Sequence, residues 1–166
     1  ILSIHDISDG GLITSLLEMC FTKKVGMRLD LSGIDNINEQ LFSEESGFVI
    51  QIKKDDSNSI IESLHEKGLM IKEIANIEDK NFTIVKEEAE LFNEPIIELE
   101  KIWRETSHAI QGIRDNIEVA DSELSLLDDE GFSGLIANTS FDESQIKSFN
   151  TKATKPKVAI LREQGV

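Results

Sequence analysis

The chain opens on a segment that admits few architectures. A short apolar run, 1–6 (ILSIHD), reads as a buried strand and stops at a polar turn; Gly10 and Gly11 then lead into Leu12, Leu16, Met19 and Cys20. The i, i+4, i+7, i+8 spacing of those four residues is one buried face of a helix. A strand, a tight glycine turn and a buried helix in succession call for a sheet with helices packed on it, since neither element hides its apolar face alone. At 166 residues the chain is long enough to enclose such a core without disulfides or a structural metal.

The alternation continues downstream. Residues 25–31 (VGMRLDL) and 47–53 (GFVIQIK) alternate as strands, and between them Asp35 or Asn36 is placed to cap a short helix through Leu41 and Phe42. Ser57 or Ser59 opens a helix through Ile60, Ile61, Leu64 and His65, with Gly68 just past its end. Two further strands are expected at 69–77 and 81–85, paired around 78–80. Asn93 is placed to cap a long helix with Pro95 in its first turn, and the stripe Ile96, Leu99, Trp103, Ile110 and Ile113 should pack inward with Trp103 as a buried anchor. These elements predict an α+β fold over 1–120: a single mostly antiparallel or mixed sheet with packed helices, ferredoxin-like. A parallel doubly wound sheet is the alternative, and the strands paired near Lys80 suit it less well. An acidic, then Ser/Thr/Asn/Lys-rich linker is expected over 121–156, and an apolar run at 157–166 reads as the first strand of another domain.

Lys and Arg total 17 against 32 Asp and Glu, a formal net charge of −15 with pI near 4.5. Nucleic-acid affinity rests on basic side chains that neutralise phosphates, so no nucleic-acid partner is expected. Aromatics are 5% with no Tyr, which also excludes a base-stacking platform. Cys20, the single cysteine, rules out an intramolecular disulfide or a multi-cysteine zinc site and points to a reducing compartment. No apolar run approaches the roughly 20 residues that span a bilayer, so no membrane partner is expected. The chain begins at Ile1 in one strand-like run and ends at Val166 in another, and is expected to be a piece of a longer cytoplasmic polypeptide.

The segment that carries chemistry is His5-Asp6-Ile7-Ser8-Asp9-Gly10-Gly11-Leu12. Glycines let a backbone approach a ligand closely, and the N–H groups at a helix start favour an anion. A carboxylate beside bound phosphates can hold Mg²⁺, which takes one or two protein carboxylates plus phosphate oxygens and waters. The metal is what allows acidic residues to share a site with a nucleotide. The plainer reading is that Ser8 or Asp9 caps the helix and the glycines form a tight turn.

HDISDGGL resembles the signature of the carboxy-terminal domain in the aminoimidazole-ribonucleotide-synthetase-like superfamily of ATP-binding enzymes. FSEESGFVIQI (42–52) and WRETSHAIQGIRDN (103–116) resemble segments of the large phosphoribosylformylglycinamidine synthases, and PKVAILREQGV (156–166) is similar to the start of their glutamine amidotransferase domain. Ile117-Glu118-Val119-Ala120 departs from that family, which often reads P-x-C-A there. The resemblance implies a ligase that forms a C–N bond, converting formylglycinamide ribonucleotide to its amidine with ATP and glutamine in purine biosynthesis. By the same resemblance, Asp6 matches a Mg²⁺ ligand and Ser8 a contact to ATP or ADP. His5, Asp9, Gly10 and Gly11 only shape the loop. The partners it implies are a preceding ATP-binding domain and a following glutaminase domain of the same polypeptide, and the isolated piece is expected to be inactive. Two alternatives share these residues: a non-catalytic module that holds an auxiliary ADP, and the equivalent domain of another superfamily member.

Other residues invite a function and have plainer roles. Cys20 lies on the apolar helix face and reads as a buried thiol. His65 and His108 read as surface histidines without a partner acid. Glu44 and Glu45 could form an acid–base pair, but before Gly47 they read as solvated, with a substrate-side role open for Glu45. The acids between Asp121 and Glu130 lack the spacing of a calcium loop.

Overall fold

The computed structural model describes residues 1–129, 131–132, 134–135, 137–138, 140–142 and 144. The chain divides into two units, Ile1–Phe132 and Ser133–Val166. The second is described only in part, with Ser144 N–H donating to the Asp142 carboxylate at 2.9 Å. The expected strand at 157–166 lies outside the described residues.

In the first unit the order is β1 (Ser3–Asp6), α1 (Gly11–Phe21), β2 (Gly26–Asp30), α2 (Ile37–Phe42), β3 (Phe48–Gln51), a 3-10 turn, α3 (Ser57–His65), β4 (Ala75–Glu78), β5 (Asn81–Lys86), β6 (Ala89–Pro95), α4 (Ile96–Arg114), α5 (Ile117–Ser125) and a second 3-10 turn, Leu126–Asp128. Four strands form a mixed sheet in the order β4-β2-β5-β6; β2 and β5 run parallel and the other neighbours antiparallel. The α+β class and the mixed sheet are as expected, but the strands divide into two sheets where the sequence reading drew one. Among the described residues β1 pairs only with β3, antiparallel, with Asp6 opposite Phe48. The cause lies in α1: its start is tied to the segment leading into β3, and its end delivers the chain to β2 in the other sheet. At that end Lys24 takes a left-handed φ of 50°, and Val25 N–H returns to the Cys20 carbonyl at 3.2 Å.

The expected pairing around 78–80 is also corrected. β4 and β5 are not neighbours, because β2 runs between them. Gly26 makes this possible: a Cβ there would stand 2.8 Å from the Asn81 carbonyl carbon, so only glycine lets the β4–β5 connection pass over the end of β2. Gly26 N–H is bonded to the Asp79 carbonyl in the same crossing.

One core serves the sheet and helices. Leu12, Leu16, Cys20 and Phe21 of α1 pack with Met27 and Leu29 of β2, Phe82 and Ile84 of β5, and Ile96 of α4. β2 alternates buried and exposed, so it reads as a one-faced strand, whereas Phe82 through Val85 are all buried. Of the two cap candidates, Asp35 and Asn36, it is Asn36 that caps α2, accepting from Glu39 N–H at 3.3 Å, and Gly68 after α3 has φ 76°.

Asn93 does not cap a helix. It lies in β6, and α4 begins only after Pro95. The signal missed is the turn: Lys86 pairs with Ala89, so Glu87 and Glu88 alone close a two-residue hairpin with φ 50° and 70°. That geometry ordinarily recruits Asn-Gly. Here Ser32 Oγ accepts from Glu87 N–H at 2.9 Å and helps to hold it.

Trp103 is 48% exposed, not buried, and Ile113 is 88% exposed. The stripe is split. α4 turns Ile96 and Glu100 inward, while the half-exposed Trp103 ring lies 5.6 Å from that of Phe21. α5 and the turn after it cover the polar side, where Lys101 meets Asp128 at 2.7 Å and His108 meets Asp121 at 2.8 Å. Ile102, Ile110 and Ile113 are left exposed. Glu100 is only 3% exposed and is neutralised by Arg104 through contacts of 2.7 and 2.8 Å.

Two outcomes test these features. Replacing Glu87-Glu88 with Asn-Gly should raise stability by about 1 kcal/mol, seen as a higher Tm, because left-handed φ is costly for residues with a Cβ. Arg104→Met should lower stability by about 2 kcal/mol by leaving the Glu100 carboxylate buried and unpaired, and adding Glu100→Gln should restore most of it. Urea unfolding of the single and double variants checks the second.

Candidate functional site

The loop between β1 and α1 is held by short contacts on every side. Ile7 N–H donates to the Gly47 carbonyl at 2.9 Å, which continues the β1–β3 pairing by one rung. Gly11 N–H then closes a turn onto the Ser8 carbonyl at 2.9 Å. Gly10 and Gly11 have φ of 83° and 75°, and a Cβ on Gly11 would sit 2.8 Å from the Leu41 carbonyl oxygen. This position therefore requires glycine both for its left-handed backbone and for the close approach of α2.

Side chains complete the frame. Ser15, buried in α1, donates its hydroxyl to the Asp6 carbonyl at 3.0 Å. His5 Nδ1 lies 2.6 Å from the Asp6 carbonyl oxygen, and Nε2 lies 3.1 Å from the Glu18 carboxylate. Both neighbours are acceptors, and the ring is wedged between them as part of the frame. Gly10 N–H donates to Glu44 Oε1 at 2.9 Å, across 34 residues.

What remains facing outward is Asp6, Ser8 and Asp9. The Asp6 side chain is 69% exposed, its carboxylate 3.7 Å from His5 Nδ1, while its backbone is pinned by Ser15 and His5. Ser8 and Asp9 are exposed on the same turn. The plainer capping reading is not what this turn shows: the residue at the start of α1 is Gly10, with no side-chain cap. Among the described residues no group of three or more His, Cys, Asp or Glu side chains is arranged to hold a metal. Asp6 is an exposed carboxylate that could serve as one ligand of a cation such as Mg²⁺, which takes one or two protein carboxylates and completes its shell with phosphate oxygens and water.

The other candidates are dispersed. Glu45 points away from Glu44 in role: it lines an open polar cavity of about 450 Å³ beside Ile7, Asn36, Gln40 and Ser46. His65 is exposed at the end of α3, and His108, read as lacking a partner acid, has Asp121. Sequence reasoning missed Ser15, Glu18 and the bond made by Glu44, because each reaches the loop through the tertiary fold and not through local spacing.

The model for the C-terminal domain of AIR synthase related proteins matches residues 1–87, and the chain belongs to that family. Among solved structures, the fold is similar to Thermotoga maritima PurL complexed with ATP, at 15% identity and a TM-score of 0.51, over 57% of this chain and 18% of that one. The same PurL complexed with FGAR matches at 14% identity and a TM-score of 0.53, over 58% of this chain and 17% of that one. Thermotoga maritima phosphoribosylformylglycinamidine synthase II matches at 14% identity and 0.52, over 57% and 17%. At these identities the likeness is one of fold, and the chain spans less than a fifth of the length of those proteins. No helix among the described residues is long and apolar enough to cross a membrane.

Cys20 takes no part in the loop. It is buried, and burial pushes its thiol up to about 11 from an ordinary 9.0. The folded form therefore favours the neutral thiol. Stability from this group is complete below about pH 9, where the unfolded thiol is still protonated, and is lost as pH rises through about 11. Native protein at pH 8 should react with a thiol reagent only at its unfolding rate, and Cys20→Ser should abolish the slow reaction; fast labelling of folded protein would contradict the burial.

Proposed function

We propose that this chain is part of a large phosphoribosylformylglycinamidine synthase and that its β1–α1 loop forms one edge of a magnesium–nucleotide site. The observation that supports this reading is the loop itself. Membership of the family coincides with an outward-facing Asp6 and Ser8 on a turn whose backbone is pinned from four sides. The complexes of the similar PurL with ATP, ADP and FGAR favour a nucleotide and this substrate class. In this reading the enzyme is a cytoplasmic ligase with glutamine as amide donor. A preceding domain supplies the rest of the nucleotide site and a following glutaminase domain supplies ammonia.

Within this reading each residue has a defined task. Asp6 holds a negative charge at a fixed place beside the phosphates, and Ser8 offers a hydroxyl that donates to a phosphate oxygen or accepts from the nucleotide. Bound Mg²⁺ supplies the positive charge that offsets the phosphates, which matters more here than in a neutral protein because the chain carries −15. The frame around Asp6 matters because phosphoryl transfer depends on positioning and electrostatics. An auxiliary site that keeps ADP permanently would use the same residues, and exchange of the bound nucleotide during turnover separates the two roles.

Asp6→Asn in the intact enzyme keeps the shape and removes the charge. Nucleotide retained after extensive dialysis should fall, with partial recovery at high Mg²⁺. Ser8→Ala should cost less, about 0.5–1.5 kcal/mol of nucleotide affinity for one hydrogen bond. Asp9→Ala should leave nucleotide content and stability unchanged, because Asp9 caps nothing. Equal nucleotide content in wild type and Asp6→Asn would overturn the assignment.

A further inference from the structure

The first N–H groups of a helix have no partner within it, and a bound phosphate commonly takes them. In α1 the leading ones are already engaged. Gly11 N–H is bonded to the Ser8 carbonyl, and Gly10 N–H to the Glu44 carboxylate. Glu44 is itself delivered by the end of α2, where Ser43 N–H donates to the Glu39 carbonyl at 3.0 Å and Leu41 and Phe42 lie against Gly11. Residues 41–44 and 10–11 therefore form one brace: backbone packing sets the distance, and a charge-assisted hydrogen bond holds Gly10 in its left-handed conformation.

We propose that Glu44 is a positioning residue for the nucleotide edge formed by Asp6 and Ser8. Its carboxylate takes the Gly10 N–H and holds the turn so that Asp6 and Ser8 face the ligand. The proposal rests on the reading of Asp6 and Ser8 given above. It differs from an acid–base role, because Glu44 acts through the loop backbone and touches no reacting atom. It also differs from a removable plug, since a carboxylate that merely competed with phosphate would weaken binding.

Three substitutions in the intact enzyme separate these roles, with Mg·ADP retained after dialysis as the readout and Asp6→Asn as reference. Glu44→Gln keeps an oxygen at the same reach and should retain nucleotide near the wild-type level. Glu44→Ala removes the acceptor, and Glu44→Asp withdraws it by one methylene; both should lower ADP affinity about threefold to tenfold, the worth of one hydrogen bond. Thermal unfolding of Glu44→Gln should match wild type, and Glu44→Ala and Glu44→Asp should still unfold cooperatively with at most a small drop in Tm. Should Glu44→Ala not fold, the contrast between Asp and Gln carries the test. Equal retention in Glu44→Asp and Glu44→Gln, with Asp6→Asn reduced, would overturn the positioning role and leave the site standing. Tighter ADP binding in Glu44→Ala or Glu44→Asp would make the carboxylate a competitor of phosphate and overturn it too. Unchanged retention in Asp6→Asn would remove the site and this proposal together.

Discussion

Burial of one face of α1 is the constraint on which the rest of the structure depends. Leu12, Leu16, Cys20 and Phe21 close the core from above β2 and β5, and the packing of each fully buried side chain of this size contributes on the order of 1.5–3 kcal/mol. With that face fixed, the two ends of the helix have no freedom. The start must meet α2, which demands glycine at Gly11, and the end must reverse at Lys24 to reach β2. The turn between β1 and α1 is thus a by-product of core packing.

The chain is strongly acidic, and several of its carboxylates serve as internal fasteners. Glu44 holds Gly10, Glu18 holds His5, the buried Glu100 is paired with the partly exposed Arg104, and Asp121 and Asp128 bind α5 and the following turn to α4. The exposed pairs among these contribute little individually. Their effect is on geometry: they choose which side of α4 is covered. That choice leaves Ile102, Ile110 and Ile113 exposed although the helix carries an apolar stripe.

Local chemistry was legible where one residue type answers one backbone need. Asn36 as a cap, Gly68 after α3, and the strand–glycine–helix opening follow from periodicity and capping rules alone. The hairpin at Glu87 and Glu88 was illegible for the converse reason, since nothing in a Glu-Glu pair announces two left-handed residues. The turn is imposed by the pairing of β5 with β6 and by Ser32 beneath it. Trp103 was misplaced because a helical stripe says which residues share a face and not which neighbour arrives to cover it.

By itself the sequence determined the apolar faces of elements such as α1 and β2, and that Asp6, Ser8 and two glycines share one turn. Only the tertiary structure decided the neighbours. It ran β2 between β4 and β5, set β1 against β3 apart from the main sheet, and brought Glu44 across 34 residues onto Gly10. The physical reason is range. Spacing along the chain encodes the period of an element, whereas strand order and a bond between distant residues arise from the competition of whole surfaces for the same core.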